Sequence, residues 1–494
     1  MSGYLQSFCQ LFCSIILILS LRFIYKNYLL PYWRIKRLGI PVAPPKPIIG
    51  NNFDYGSGNQ HLAQLKRQEK YGSICGTLFY HIPTIWVGDP EILKVITVSD
   101  FSTFPNRYDL NEPRPPFDKA IIQLKNQDWK RVRNILIPTF SASKLKSLMP
   151  ILNDAGNDLT VTLSKADQEG RPIDIWRTCG VFTMKVTLAT VFGLEMDSKE
   201  QEKKMTEAAS MFFRDITGVV QFLFIYLMPL VGLIEPLLGG KIIESVRYLL
   251  KTVENVIQER RENIKAGIPC RKDILQQMIE AGDDDKLNDA EILAQAITFL
   301  VAGYDTTANT LGFTCYLLAT HPEIQKKLRD EIDAKCPDLD SIEYDTLHDL
   351  PYMDMIISET LRLYPTAFFL NRDIKKDTTI NGVHFTKDLM IGIPVYAIHH
   401  NPKIWSNPEE FIPERFSPKE KAKHAPCSFL PFGNGPRNCV GMRLALLEAK
   451  LALVKIMQKF EMRAVPETEI PLTLRSGNTI SPINGVVVGV SRRR

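Results

Sequence analysis

Cys439 is the residue with the most chemistry around it. It stands in Pro431-Phe-Gly-Asn-Gly-Pro-Arg-Asn-Cys-Val-Gly-Met442, a turn-rich loop that ends where a long apolar helical pattern begins. Gly433, Gly435 and Gly441 are free to take positive φ, so the backbone can fold tightly around something. A cysteine at a helix N-terminus has its thiolate stabilised by the helix dipole and by free N–H groups, which suits it to ligate a soft metal centre. A second string, Ala302-Gly-Tyr-Asp-Thr-Thr307, lies inside a helix predicted from the capping box Asn288-Asp-Ala-Glu291 to the stop at His321-Pro322. Gly303 costs ~1 kcal/mol in a helix interior and Thr competes for backbone carbonyls, so Asp305 and Thr306 serve something besides the helix. Glu359 and Arg362, at i and i+3, share a helix face, and Arg415 follows in Pro413-Glu-Arg-Phe416. Arg107, Arg133 and Arg372, taken singly, read as solvated surface charge.

The ordered set Phe432, Gly435, Arg437, Cys439, Gly441 resembles F-x-x-G-x-R-x-C-x-G, the haem-binding loop of the cytochrome P450 family. The resemblance implies haem b (iron protoporphyrin IX) with Cys439 as axial iron ligand, its thiolate pushing electron density to favour O–O cleavage. It also implies that Asp305 and Thr306 manage protons during dioxygen activation. Glu359, Arg362 and Arg415 match the family's E-x-x-R and P-E-R-F strings, which form a buried charge network that holds the cysteine loop. Trp129 with Arg133, together with Arg107, Arg372 and Arg437, fall at positions that reach the two haem propionates, for which Arg supplies planar bidentate donors. Pocket candidates are Phe299, Ala302, Thr366, Ala367, Phe368, Phe369, Leu370, Thr479 and Ile480, with the loop Tyr108 to Phe117. Their apolar, aromatic character predicts lipophilic substrates.

Lys36 to Pro41, Phe299 to Thr307 and Phe432 to Met442 are most similar to the microsomal family-three enzymes that oxidise drugs and steroids, with thromboxane synthase, an isomerase, as a near relative. The expected activity is a monooxygenase inserting one atom of O₂ into a steroid, fatty-acid or xenobiotic substrate. The resemblance implies NADPH–cytochrome P450 reductase as electron donor, with cytochrome b5 as a second candidate, and in keeping with a separate donor the chain has neither a Gly-rich dinucleotide fingerprint after a strand nor a flavin domain. Lys130, Arg131 and Arg443 form the expected docking patch. Two competing readings are a peroxide-rearranging isomerase on the same fold and a non-catalytic haem-binding membrane protein.

These residues must be positioned by a chain of 494 residues, 45% hydrophobic and 23% charged, whose 32 prolines are scattered. That composition excludes a disordered chain and a multi-span membrane protein. The net charge of +5 is too thin for a nucleic-acid partner. Nine cysteines without a CxxC pair argue against a disulfide framework and a structural zinc site. No charge precedes Arg22, Leu5 to Leu21 is apolar, and Arg22, Lys26, Arg34, Lys36 and Arg37 follow. By the positive-inside rule this predicts an uncleaved single-pass anchor with a luminal N-terminus and a cytosolic body, in the endoplasmic reticulum membrane. The expected organisation is anchor 1–30, Pro-rich extended connector 31–50 and catalytic domain 51–494. The predicted fold is α+β, mainly α, with a small β-rich N-terminal region (Ile74 to Tyr80, Thr84 to Val87). Helices then run to about Leu363, Asn381-Gly382 marks a hairpin, and a final long helix precedes a strand-like C-terminus. Val219 to Gly239 reads as an apolar cap dipping into the membrane surface rather than a second span.

Overall fold

The computed structural model describes residues 2–493 apart from 47–48, 53, 55, 57, 111–114, 195–198, 211–239, 272, 282–286, 339–340 and 388. The apolar stretch Val219 to Gly239 and part of the Tyr108 to Phe117 loop therefore lie outside the described residues.

A helix from Asp289 to Thr320 runs through the middle of the molecule. At ~1.5 Å per residue it is about 48 Å long. Its start is fixed by the expected capping box: the Glu291 N–H donates to Asn288 Oδ1 at 2.9 Å and the Asn288 N–H to Glu291 Oε2 at 3.0 Å. It ends at His321, where Pro322 opens the next helix, Pro322–Lys335. Nearly every residue from Glu291 to Leu300 and from Thr307 to Ala319 is buried, so apolar surface surrounds the helix on all sides. Burial is interrupted at Val301 to Thr306, where Ala302 is exposed and Val301, Gly303, Tyr304 and Thr306 are half-buried.

Two core clusters divide this helix. Its C-terminal half packs with helices Met149–Gln168, Pro351–Leu363 and Met442–Lys459. Its N-terminal half packs with Asn126–Leu136 and Gly240–Lys265. Helix Ile175–Thr187 contributes to both and approaches closely because small residues face it. A Cβ on Gly312 would lie 2.9 Å from Trp176 Cδ1, and one on Gly303 would lie 3.0 Å from Thr187 Oγ1. Gly303 thus has a packing reason for its place in the helix.

A third cluster lies under a four-stranded sheet ordered β1 (Ile74–Phe79), β2 (Ile82–Val87), β7 (Met390–Ile393), β4 (Leu370–Arg372). β1–β2 and β4–β7 are antiparallel, and the central β2–β7 pair is parallel, Ile85 opposite Ile391. The sheet is therefore built from both halves of the sequence rather than from the N-terminal region alone. Both central strands are buried throughout, as expected where both faces are covered. The Asn381-Gly382 hairpin joins β5 (Thr378–Ile380) to β6 (Val383–Phe385), with φ +48° and +80° at the two turn residues. β3 (Ile173–Asp174), β11 (Val487–Arg492) and β8 (Phe460–Arg463) form a further sheet, and β9 (Leu474–Ser476) pairs with β10 (Ile480–Pro482).

Among the described residues one helix is long and apolar enough to cross a membrane, Ser7–Lys36. The α-helix Ser2–Ile24 continues through a π-helical turn, Tyr25–Leu29, into Leu30–Lys36, so helix occupies the start of the expected connector. Ile35, 0% exposed, fills the notch at Gly76, where a Cβ would lie 2.1 Å from its Cγ2. The Pro-rich stretch then lies along the sheet through bridges Val42–Gly76 and Gly50–Phe79, and the Tyr28 hydroxyl donates to Pro45 O at 2.7 Å.

Candidate active site

The cysteine loop closes on itself where the Cys439 N–H donates to Phe432 O at 2.8 Å. Gly433 and Gly435 adopt φ +71° and +68°, and a Cβ on Gly435 would lie 1.8 Å from Thr97 O, so glycine is required there. Cys439 lies just ahead of the helix Met442–Lys459. Burial pushes its thiol pKa up; the N–H groups of Gly441 and Met442 and the guanidinium groups of Arg107 and Arg133 act in the opposite direction. Its residue keeps an exposed side, and all nine cysteines are free thiols.

Four guanidinium groups converge beside this loop. Arg437 donates to Pro105 O (2.9 Å), Leu124 O (3.0 Å) and Asn106 Oδ1 (3.1 Å), and lies 4.0 Å above the Trp129 ring. Arg133 donates to Asn438 O at 2.8 Å and Oδ1 at 2.5 Å. Arg372 donates to Asn371 O at 2.8 Å, leaving its buried Nε without a partner. Arg107 makes no hydrogen bond or ion pair with the described residues. Burial first, then the neighbouring cations Arg107 and Arg372, lower the pKa of Arg437 to about 9, and burial with Arg107 lowers that of Arg372 to about 9. The anion facing them, Asp373, spends its two oxygens on the N–H and Nδ2 of Asn106, both at 3.1 Å. So much uncompensated positive charge calls for an anionic ligand. Together with a cysteine thiol, that fits haem b and its two propionates.

The matching family model is that of Cytochrome P450, over residues 40–488. The chain belongs to the cytochrome P450 family. Cytochrome P450 3A11 of Mus musculus is 39% identical over 492 residues, covering 97% of this chain and 96% of that protein. Cytochrome P450 3A5 of Homo sapiens is 38% identical over 470 residues (93% and 92%), and cytochrome P450 3A31 of Mesocricetus auratus 36% over 499 residues (99% and 98%). The protein is thus a haem-dependent P450 monooxygenase of mainly helical P450 fold.

In this P450, the exposed turn of the central helix and the cysteine loop border one core cluster, on which Val301, Tyr304, Val440 and Leu444 all pack. Phe140 links them, with its ring 5.7 Å from that of Phe299 and its Cε1 4.0 Å from where a Cβ on Gly441 would lie. Thr306 Oγ1 donates to Ala302 O at 2.7 Å. Asp305 turns the other way and is 6% exposed. Its Oδ2 accepts from Thr479 Oγ1 at 2.6 Å and Asn309 Nδ2 at 2.8 Å. Burial raises its pKa to about 6, opposed by those two hydrogen bonds and by Arg475.

Glu359 and Arg362 are fully enclosed, with bidentate bonds of 2.7 and 2.8 Å. Arg415 Nε reaches the same carboxylate at 3.1 Å. The surplus cation is spread over carbonyl oxygens of His399, Pro408, Glu410 and Asn407. His399 extends this network. Its Nε2 accepts from the Leu430 N–H at 2.9 Å, immediately ahead of the cysteine loop, and its burial disfavours the charged ring. The sequence reading missed this residue, since a lone His-His pair carries no pairing signal.

Other candidates disperse. Leu370 lies 3.6 Å from where a Cβ on Gly433 would be, and Thr366 O accepts from the Ile480 N–H at 3.0 Å. Phe368 is enclosed in the main core, 1% exposed; half-buried Phe369 packs on Phe79 and Trp86 at 5.9 and 6.0 Å. Ala367 is half-buried. In the expected docking patch Lys130 and Arg443 are exposed, whereas Arg131 is half-buried and paired with Glu291 of the capping box.

Proposed function

We propose that Cys439 is the axial iron ligand and that Arg107, Arg133, Arg372 and Arg437, with Trp129, hold the propionates of haem b. The observation that carries this is the crowding of four guanidinium groups, short of anions, around a thiol that accepts N–H groups at a helix start. Haem bound there supplies dioxygen binding and one-electron chemistry, so that one oxygen atom enters the substrate and the other leaves as water. Thr306, on the open turn of the central helix, would pass protons, with Asp305 holding the next proton in the series.

The apolar side chains of Phe299 and Ala302 at that turn, with Phe369 and Leu370 among the pocket candidates, support a lipophilic substrate of steroid, fatty-acid or xenobiotic class. The electron donor in this reading is NADPH–cytochrome P450 reductase, with cytochrome b5 as a second donor. The apolar N-terminal helix followed by Arg22, Lys26 and Arg34 supports a single-pass anchor in the endoplasmic reticulum with a cytosolic catalytic domain. The reduced, carbon monoxide-treated protein should show the red-shifted band of a thiolate-ligated haem. A band like that of a histidine-ligated haem would overturn the assignment of Cys439.

A further inference from the structure

Asp305 is held by two neutral donors. Thr479 approaches from the turn between β9 and β10, where the Gly477 N–H donates to Thr479 O at 3.0 Å. Asn309, one turn along the central helix, uses both ends of its amide: Nδ2 donates to Asp305 Oδ2 at 2.8 Å, and Oδ1 accepts from the Trp176 indole N–H at 2.7 Å. That second bond fixes which way the amide points. Trp176 is itself seated in the gap left by Gly312. Both donors converge on Oδ2, and Oδ1 takes no hydrogen bond from the described residues. The charged or titratable groups facing the carboxyl are Arg475, on β9, and Tyr304, on its own helix. Arg475 is tied by Nε to Ser481 Oγ at 3.2 Å.

We propose that Thr479 and Asn309, the latter oriented by Trp176, are positioning residues that fix the orientation of the Asp305 carboxyl and set the pH at which it releases its proton. This gives Thr479 a role distinct from lining the substrate pocket, and it rests on the reading of Asp305 and Thr306 as the proton relay. A hydrogen bond donated to a carboxylate favours the charged form, so removing either donor raises the pH of release. A bond donated to a charged group is strong enough to move a titration by about a pH unit or more. Thr479→Val should therefore move the midpoint up by about one unit or more, and Thr479→Ser, which keeps the hydroxyl, should restore it.

The test uses the full-length, haem-loaded protein. Difference infrared titration follows the protonated-carboxyl band that Asp305→Asn removes, and the fraction of NADPH electrons reaching product is measured across the same pH range. The expected result is an upward shift of both midpoints in Thr479→Val and Asn309→Leu, return in Thr479→Ser, and a smaller upward shift in Trp176→Phe. An infrared midpoint unmoved in Thr479→Val and Asn309→Leu would overturn the positioning role. The relay reading fails separately: if Asp305→Asn couples electrons to product as the parent does at every pH while the infrared midpoints still shift, the carboxyl is positioned as proposed but does not serve oxygen activation.

Discussion

Glu359 shows how much one buried carboxylate can hold. It neutralises Arg362 through two bonds, reaches Arg415, and also accepts the Ile412 N–H at 3.1 Å. Glu359→Gln keeps the shape but strands two guanidinium groups in a dry interior, a change of about 3–5 kcal/mol. Urea unfolding of the variant should show that loss, with most of the protein no longer yielding a thiolate-type carbon monoxide band. Thr306→Ala should leave haem loading intact and divert oxygen consumption toward peroxide. Measured peroxide per NADPH checks this, and tight coupling in the variant would remove Thr306 from the relay. The residues of the cysteine loop were legible because they lie within one short string. Contacts such as His399 to Leu430, 31 residues apart, Arg131 to Glu291, 160 apart, and Thr479 to Asp305, 174 apart, were not, because chain folding alone brings them together.

At the scale of elements, the central helix depends on its glycines as much as on its cap. Trp176 Cβ and Cδ1 both lie within 3.0 Å of where a Gly312 side chain would begin, so Gly312→Leu must push helix Ile175–Thr187 away. Overpacking of this kind costs typically about 1–3 kcal/mol. The variant should melt earlier while keeping its helical circular dichroism, and Trp176→Ala in the same chain should recover part of the loss. The extent of this helix, the Asn381-Gly382 hairpin and strands β1 and β2 could be read from local pattern. The partners of β2 could not: Ile391 comes some three hundred residues later, and alternation of side chains does not say which distant strand pairs in parallel.

For the whole molecule, acid is the vulnerable direction. His61 is stacked edge-on against Tyr396, which in turn stacks on His400. Burial lowers the pKa of His61 to about 4 and, as the largest of several causes, that of His400 to about 3. The unfolded chain binds these protons below about pH 6.5 while the fold refuses them. Their contribution is therefore complete above that pH and is lost as pH falls from 6.5 toward 4, by up to about 1.4 kcal/mol per unit for each histidine. Denaturant midpoints measured through this window should slope accordingly, and His61→Gln should flatten the slope.

The seating of Ile35 against Gly76 has a consequence for handling and for geometry alike. Because that side chain belongs to the long N-terminal helix and the notch belongs to the sheet, the two turn together like a mast stepped into a hull. With that helix in a bilayer as proposed, any lean of the mast would be passed on to the heading of the catalytic body. A shortened protein that starts beyond Lys36 leaves an apolar socket open to water and invites self-association, whereas one that starts just ahead of Tyr28 keeps the socket plugged.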